Sequence, residues 1–79
     1  MGHHPGGTLG PDILLFDYDG AGNVIFAGVA HPGETSNQAV WQLRKLSYDG
    51  SGNVLSVLYA DGNKKFDNIW DNRVGYSYS

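Results

Sequence analysis

Cysteine is absent from this sequence, so neither disulfides nor thiolate metal sites can staple the chain. The absence fits a protein made in a reducing cytosol. It matters because a chain of 79 residues buries only about 60% of the surface its unfolded form exposes. Domains of this size usually draw on disulfides, a structural metal or oligomerisation. With the first route closed, either the core is very well packed or a neighbouring subunit completes it. Basic side chains are scarce too, five against eight acidic ones for a net charge of -3. Arg44, Lys45, Lys64, Lys65 and Arg73 form no run that could follow a phosphate backbone, which argues against a nucleic-acid partner. Long apolar runs are also missing. In the first half the longest is Ile13 to Phe16, far short of a signal-peptide core or a roughly 20-residue membrane span, so no membrane partner is expected.

Catalytic signatures are equally thin. Carboxylates are present at Asp17, Asp19, Glu34, Asp49, Asp61, Asp67 and Asp71, but most sit in turn-like contexts where aspartate is a turn former. His31 lies beside Pro32 and Gly33 without a nearby nucleophile, and no histidine pairs with a serine or carboxylate at a readable motif spacing. No enzyme, no catalytic residue and no cofactor are expected. His3 and His4 lack a third ligand, so a metal site is not expected there. Residues 1–11, MGHHPGGTLGP, contain four glycines and two prolines and read as an arm that is flexible or docked on a neighbour. Residues 12–79 read as one small domain.

What is plentiful is strand chemistry. Short stretches rich in Ile, Leu, Val, Phe and Tyr are bounded by Gly, Asp and Asn clusters, the pattern of an all-β protein. Residues 13–18 and 24–30 flank DGAGN, and residues 40–48 and 54–60 flank DGSGN. Each pair predicts a hairpin whose glycines and asparagine supply the positive-φ positions of a short loop. Trp41 and Leu43 share one parity and Leu46 and Tyr48 the other, so a bulge near Arg44–Lys45 is expected to bring all four to one side. At an offset of thirty, residues 18–30 and 48–60 share seven identities in thirteen positions. A repeat array normally needs about three units to bury a continuous core. Two hairpins on one plan, or simply two good hairpin loops that resemble each other, both account for the match.

The acidic loops also invite a calcium reading, and its arithmetic fails. With Asp17 as the first position of an EF-hand loop, Ala21 takes a ligand position and Gly28 stands where the closing glutamate belongs. Starting instead at Asp49 puts Val54 at the obligatory glycine and Ala60 at the glutamate. A turn is the better reading of both loops.

Toward the C-terminus the period changes. Phe66, Ile69, Trp70 and Arg73 stand three and four apart, which predicts a short helical turn over residues 64–72 with Asn63 as its N-cap. Residues 74–78 alternate, with Tyr76 and Tyr78 on one face, and predict a last strand. Trp70 and Phe66 are expected to plug the end of the sheet, since aromatics contribute most per residue to a small core. Arg73 is expected to pair with Asp71 or to reach a neighbouring chain. The interaction or core candidates are Trp41, Tyr48, Phe66, Ile69, Trp70, Arg73, Tyr76 and Tyr78. Tyr18, Tyr48, Tyr59 or Trp41, if exposed, would suit a carbohydrate or receptor platform. The architecture expected is a small antiparallel sheet or sandwich of about five strands, two hairpins plus a C-terminal strand, with one short helical turn.

From Phe26 to Ser79 the chain resembles a group of small virion-associated proteins of tailed bacteriophages. Gly28, Ala30, Pro32, Gly33, Trp41, Leu43, Ala60 to Gly62, Phe66, Asp67, Ile69 to Asp71, Arg73 and Tyr78 carry the likeness, and FDNIWDNR is its specific block. The resemblance implies a structural role in the head, neck or tail-fibre region, in the virion after assembly in the host cytoplasm. Its implied partners are other virion proteins and further copies of itself. YDGSGNVLSVLYADG is also similar to a YD repeat of large secreted shells, although the Trp-rich tail lies outside that pattern.

Overall fold

A computed structural model describes residues 12–79, and the expected arm at 1–11 lies outside the described residues. Those described form an antiparallel sheet. Strands β1 (Ile13–Tyr18), β2 (Val24–Ala30), β3 (Ala39–Tyr48) and β4 (Val54–Tyr59) lie side by side in chain order. The two-residue β5 (Asn68–Ile69) pairs with the start of β3, in the lane that β4 occupies further along. A 3₁₀ helix, Trp70–Gly75, follows directly. The two hairpins fall where DGAGN and DGSGN place them.

Register decides what each face carries. Ala30, Gly28 and Phe26 stand opposite Ile13, Leu15 and Asp17, and Gly28 and Phe26 also oppose Leu43 and Lys45. Side chains alternate across a strand, so this face collects Phe26, Ala30, Trp41 and Leu43, all buried. The 3₁₀ helix and the tail cover it: Trp70 is buried there, and Tyr76 and Tyr78 pack on the same cluster. The opposite face carries Leu14, Phe16, Val29, Leu46 and Val57 by the same alternation.

Across the covered face Trp70 lies directly against Gly28. A Cβ built on Gly28 would lie 2.6 Å from Trp70 Cε3, inside any real carbon contact, and 3.1 Å from Trp41 Cε3, a tight one. Only a bare Cα lets the Trp70 indole reach the sheet and settle beside Trp41, with ring centroids 6.1 Å apart and tilted by 46°, a favourable aromatic geometry. Trp41 Nε1 donates to the Thr35 carbonyl at 2.9 Å. Buried Asn68 donates to the Trp41 carbonyl at 3.0 Å. Among the described residues no buried side-chain nitrogen or oxygen lacks a partner.

Several local expectations are corrected. No irregularity occurs at Arg44–Lys45; the register shifts of β3 lie at Ala39/Trp41 and at Ser47/Tyr48. Leu46 and Tyr48 therefore stay on the face opposite Trp41 and Leu43. The helical segment begins at Trp70 rather than at 64, and its N-cap is Ile69 with no side-chain cap. Asn63 instead accepts from the Lys65 backbone N–H at 2.9 Å, a local turn. The reason is Asn68: its amide bonds to β3, and its backbone pairs there as a strand, which leaves no room for a helix before residue 70. Residues 74–78 do not form a strand. They cross the covered face, and Tyr78 makes an isolated bridge to Ala60, flanked by reciprocal bonds between Tyr59 and Ser79 at 3.1 Å.

Gly28→Ala is expected to force Trp70 off the sheet and to lower stability by about 1–3 kcal/mol, the usual range for overpacking a core. Urea unfolding followed by tryptophan fluorescence measures it. An unchanged midpoint would show that the Trp70–Gly28 contact carries no weight.

Candidate interaction surface

The twin loops are one structure built twice. In each, the first aspartate takes two backbone N–H groups on one carboxylate oxygen: Asp19 Oδ1 accepts from Ala21 at 2.8 Å and Asn23 at 3.0 Å, and Asp49 Oδ1 from Ser51 at 2.8 Å and Asn53 at 2.9 Å. Asp19 N donates to the Asn23 carbonyl and Asp49 N to the Asn53 carbonyl, both at 2.9 Å. The fourth residue of each loop, Gly22 or Gly52, takes positive φ, 87° and 86°, a conformation suited to glycine. The asparagines do not share it. A register shift flanks each loop at the same place, at Asp17/Tyr18 and at Ser47/Tyr48. The thirty-residue repeat is thus a repeat of geometry, and the aspartates serve as turn closers. Hydrogen bonds from the Asn53 backbone, then from its side chain, then from the Ser51 backbone hold the Asp49 carboxyl below its ordinary value of 3.8.

The aromatic end of the domain gathers most of the residues singled out in the tail. Arg73 lies 4.5 Å above the Trp70 ring centroid, and its Nε reaches Asp17 Oδ2 on β1 at 3.0 Å. That ion pair replaces the expected Asp71 partner and fastens the C-terminal segment across the whole sheet. Tyr76 accepts the Ile69 backbone N–H on its hydroxyl at 2.8 Å, and Tyr78 donates to the Arg73 carbonyl at 2.6 Å. Burial pushes the Tyr78 phenol up to about 12, which keeps the proton it donates. Tyr78 also packs on Phe26 at 5.6 Å between centroids. Phe66 does not join this cluster. It is 40% exposed and stacks on His31, with centroids 5.5 Å apart, because residues 61–67 swing toward the opposite face after a turn in which Asp61 and Gly62 both take positive φ.

On that opposite face the 61–67 loop covers one end only. Gln42 Nε2 donates to the Lys64 carbonyl at 3.0 Å, and Lys64 and Arg44 both lie over the Tyr59 ring. Toward the twin loops, Leu14, Phe16, Tyr18, Val54 and Val57 are exposed, with nothing among the described residues lying over them. Trp41, at 1% exposure, is withdrawn from any ligand platform. Tyr48 is half-buried and donates to the Val24 carbonyl at 2.6 Å, tying the second hairpin to the first. Its neighbour in sequence terms, the match of Tyr18 and Tyr48 at offset thirty, carried that signal, but nothing in the sequence showed that one hydroxyl would be used within the chain. Compared with protein-family models, curated proteins and solved structures, the chain finds no match.

Two outcomes follow. Because the Asp49 carboxyl is held below its ordinary value, the charged form stabilises the fold at and above pH of about 4, and this contribution is lost as pH falls from there through the depressed value. Asp49→Asn is therefore expected to flatten the acid side of the urea midpoint plotted against pH; a profile superimposable on the native one contradicts it. A double-mutant cycle on Arg73→Ala and Asp17→Ala is expected to give a coupling of up to about 1 kcal/mol that shrinks with added salt. Zero coupling at low salt would mean that the ion pair does not hold the tail.

Proposed function

We propose that this chain is a non-enzymatic structural subunit that works through protein–protein contacts, with the tailed-phage virion as its setting on the strength of the FDNIWDNR block. The observation that supports the subunit reading is where its apolar surface lies. Of the nine exposed large hydrophobic residues among those described, seven (Leu14, Phe16, Tyr18, Val54, Leu55, Val57 and Leu58) belong to β1 and β4, the two outer lanes of the sheet. Scattered single hydrophobics on a surface mean little, whereas contiguous ones mark contact sites. Edge strands that stay monomeric are usually blunted by lysine, proline or inward-pointing charge. VLSVLY of β4 has no charge and no proline, and the single charge in ILLFDY of β1 is Asp17, which Arg73 neutralises on the covered face. A small core with bare apolar edges is completed by neighbours.

Sedimentation of the purified chain over a wide concentration range tests the reading. The mean mass is expected to rise with concentration, and Phe16→Glu to weaken association about tenfold or more, since burying one such side chain contributes about 1.5–3 kcal/mol. A chain that stays monomeric at its highest soluble concentration and turns over a small-molecule substrate overturns the proposal.

A further inference from the structure

Resting on the subunit reading, we infer that the partner of the bare edges is a second copy of this chain, joined head to tail: β1 of one copy pairs antiparallel with β4 of the next, in the register that already joins β3 to β2 inside each copy. The internal joint lies between β2 and β3. There, Phe26, Ala27 and Gly28 stand opposite Lys45, Arg44 and Leu43, and the joint is locked beyond the ladder by the Tyr48 hydroxyl on the Val24 carbonyl. Shifting each side by the thirty-residue repeat turns β2 into β4 and β3 into β1. The same joint then sets Ser56, Val57 and Leu58 opposite Leu15, Leu14 and Ile13 of the next copy, with its Tyr18 hydroxyl on the Val54 carbonyl.

Each requirement of that joint is met by an exposed group. Tyr18 is 56% exposed and its hydroxyl has no hydrogen bond among the described residues; Val54 is 53% exposed. The backbone bonds of the loop and the register shift beside Tyr48 are duplicated at Tyr18; the second loop alone adds an Asn53 side-chain bond to Asp49. Backbone direction agrees as well. The Ala60 N–H points into β3, bonding to the Leu43 carbonyl, while Tyr59 bonds outward to Ser79. By alternation Val57 also presents its N–H and carbonyl outward, and tracing the same alternation through β3 and β2 leaves Leu14 facing outward on β1. The Tyr59–Ser79 pair occupies the end of the β4 edge, so the joint spans Ser56 to Leu58 and no further. Two of its three side-chain pairs would be apolar, Val57 with Leu14 on one face and Leu58 with Ile13 on the other, which gives exposed Leu14, Val57 and Leu58 the cross-strand partners that stabilise sheets. A head-to-tail contact of this kind is heterologous and grows into rings or filaments rather than closing as a dimer.

The native lack of cysteine makes the register directly readable. A Leu14→Cys/Val57→Cys double variant, oxidised at a concentration where the native chain associates, is expected to give a reducible ladder of covalent multimers. Within one chain these positions are three strand spacings apart, roughly 14 Å, too far for a disulfide. Each single variant is expected to give dimers at most. Tyr18→Phe is expected to weaken association of the otherwise native chain roughly 2- to 10-fold, the range for one hydrogen bond, while leaving the unfolding midpoint of the dilute, monomeric chain in place. A native chain that associates while the double variant yields no ladder overturns the head-to-tail register and leaves the subunit reading standing. So does a ladder no stronger than that of the displaced pair Leu14→Cys/Leu55→Cys. A native chain that is monomeric throughout overturns the edge pairing, and with substrate turnover it overturns the subunit reading as well.

Discussion

The seating of Trp70 on the bare Cα of Gly28 is the contact on which the rest of this fold depends. A single sheet of four short strands has two faces and material to cover one. Covering it takes a large side chain that can lie flat, and an indole can do so only where the sheet presents no Cβ. Once Trp70 is seated beside Trp41, the chain on either side of it is committed. Asn68 and Ile69 are drawn into the β5 pairing with β3, and the next six residues turn as a 3₁₀ helix across the sheet. Such a helix has three residues per turn, so residues i and i+3 eclipse. Arg73 therefore comes to lie over Trp70 with its guanidinium directed at Asp17, on the far strand.

The two hairpins were legible in the sequence because their causes are local. An aspartate that accepts its own loop's N–H groups and a glycine at positive φ three residues later are both contained in five letters, and the flanking strands alternate plainly. The tail was legible only in its composition. Phe66, Ile69, Trp70 and Arg73 have helical spacing, yet they end up in a loop, a strand and a 3₁₀ helix. What separates them is the Asn68 amide on the Trp41 carbonyl, a bond across 27 positions, and what fixes Arg73 is a partner 56 positions away. Periodicity reports neighbours along the chain, and neither partner is one. A bulge near Arg44–Lys45 would gather the apolar groups of β3 on one face. The sheet has apolar residues on both, and that difference is where the surface of interest lies.

The repeat looks different in this light. Its two copies have the same loops and the same register shifts but unequal surroundings: the second hairpin finds the first beside it, whereas the first hairpin has no hairpin on its outer side among the described residues. Tyr48 is half-buried and bonded for that reason, and Tyr18 is exposed for the same reason. Similar local chemistry thus meets different burial, because β2 and β3 lie next to each other while β1 is an outer strand.

A chain with this construction faces a choice set by its size. Apolar residues on β1 and β4 are a liability for a solitary small domain, because unpaired strand edges template further pairing, and nothing in ILLFDY or VLSVLY guards against it. Yet the central strand β3 carries Gln42, Arg44 and Lys45, whereas the outer strands have, beside apolar and tyrosine side chains, only Asp17, which is paired with Arg73, and Ser56. That distribution is the reverse of what a monomer requires. It suits the proposed assembly, in which outer strands become inner ones and edge pairing would add stability to a 79-residue chain without cysteine.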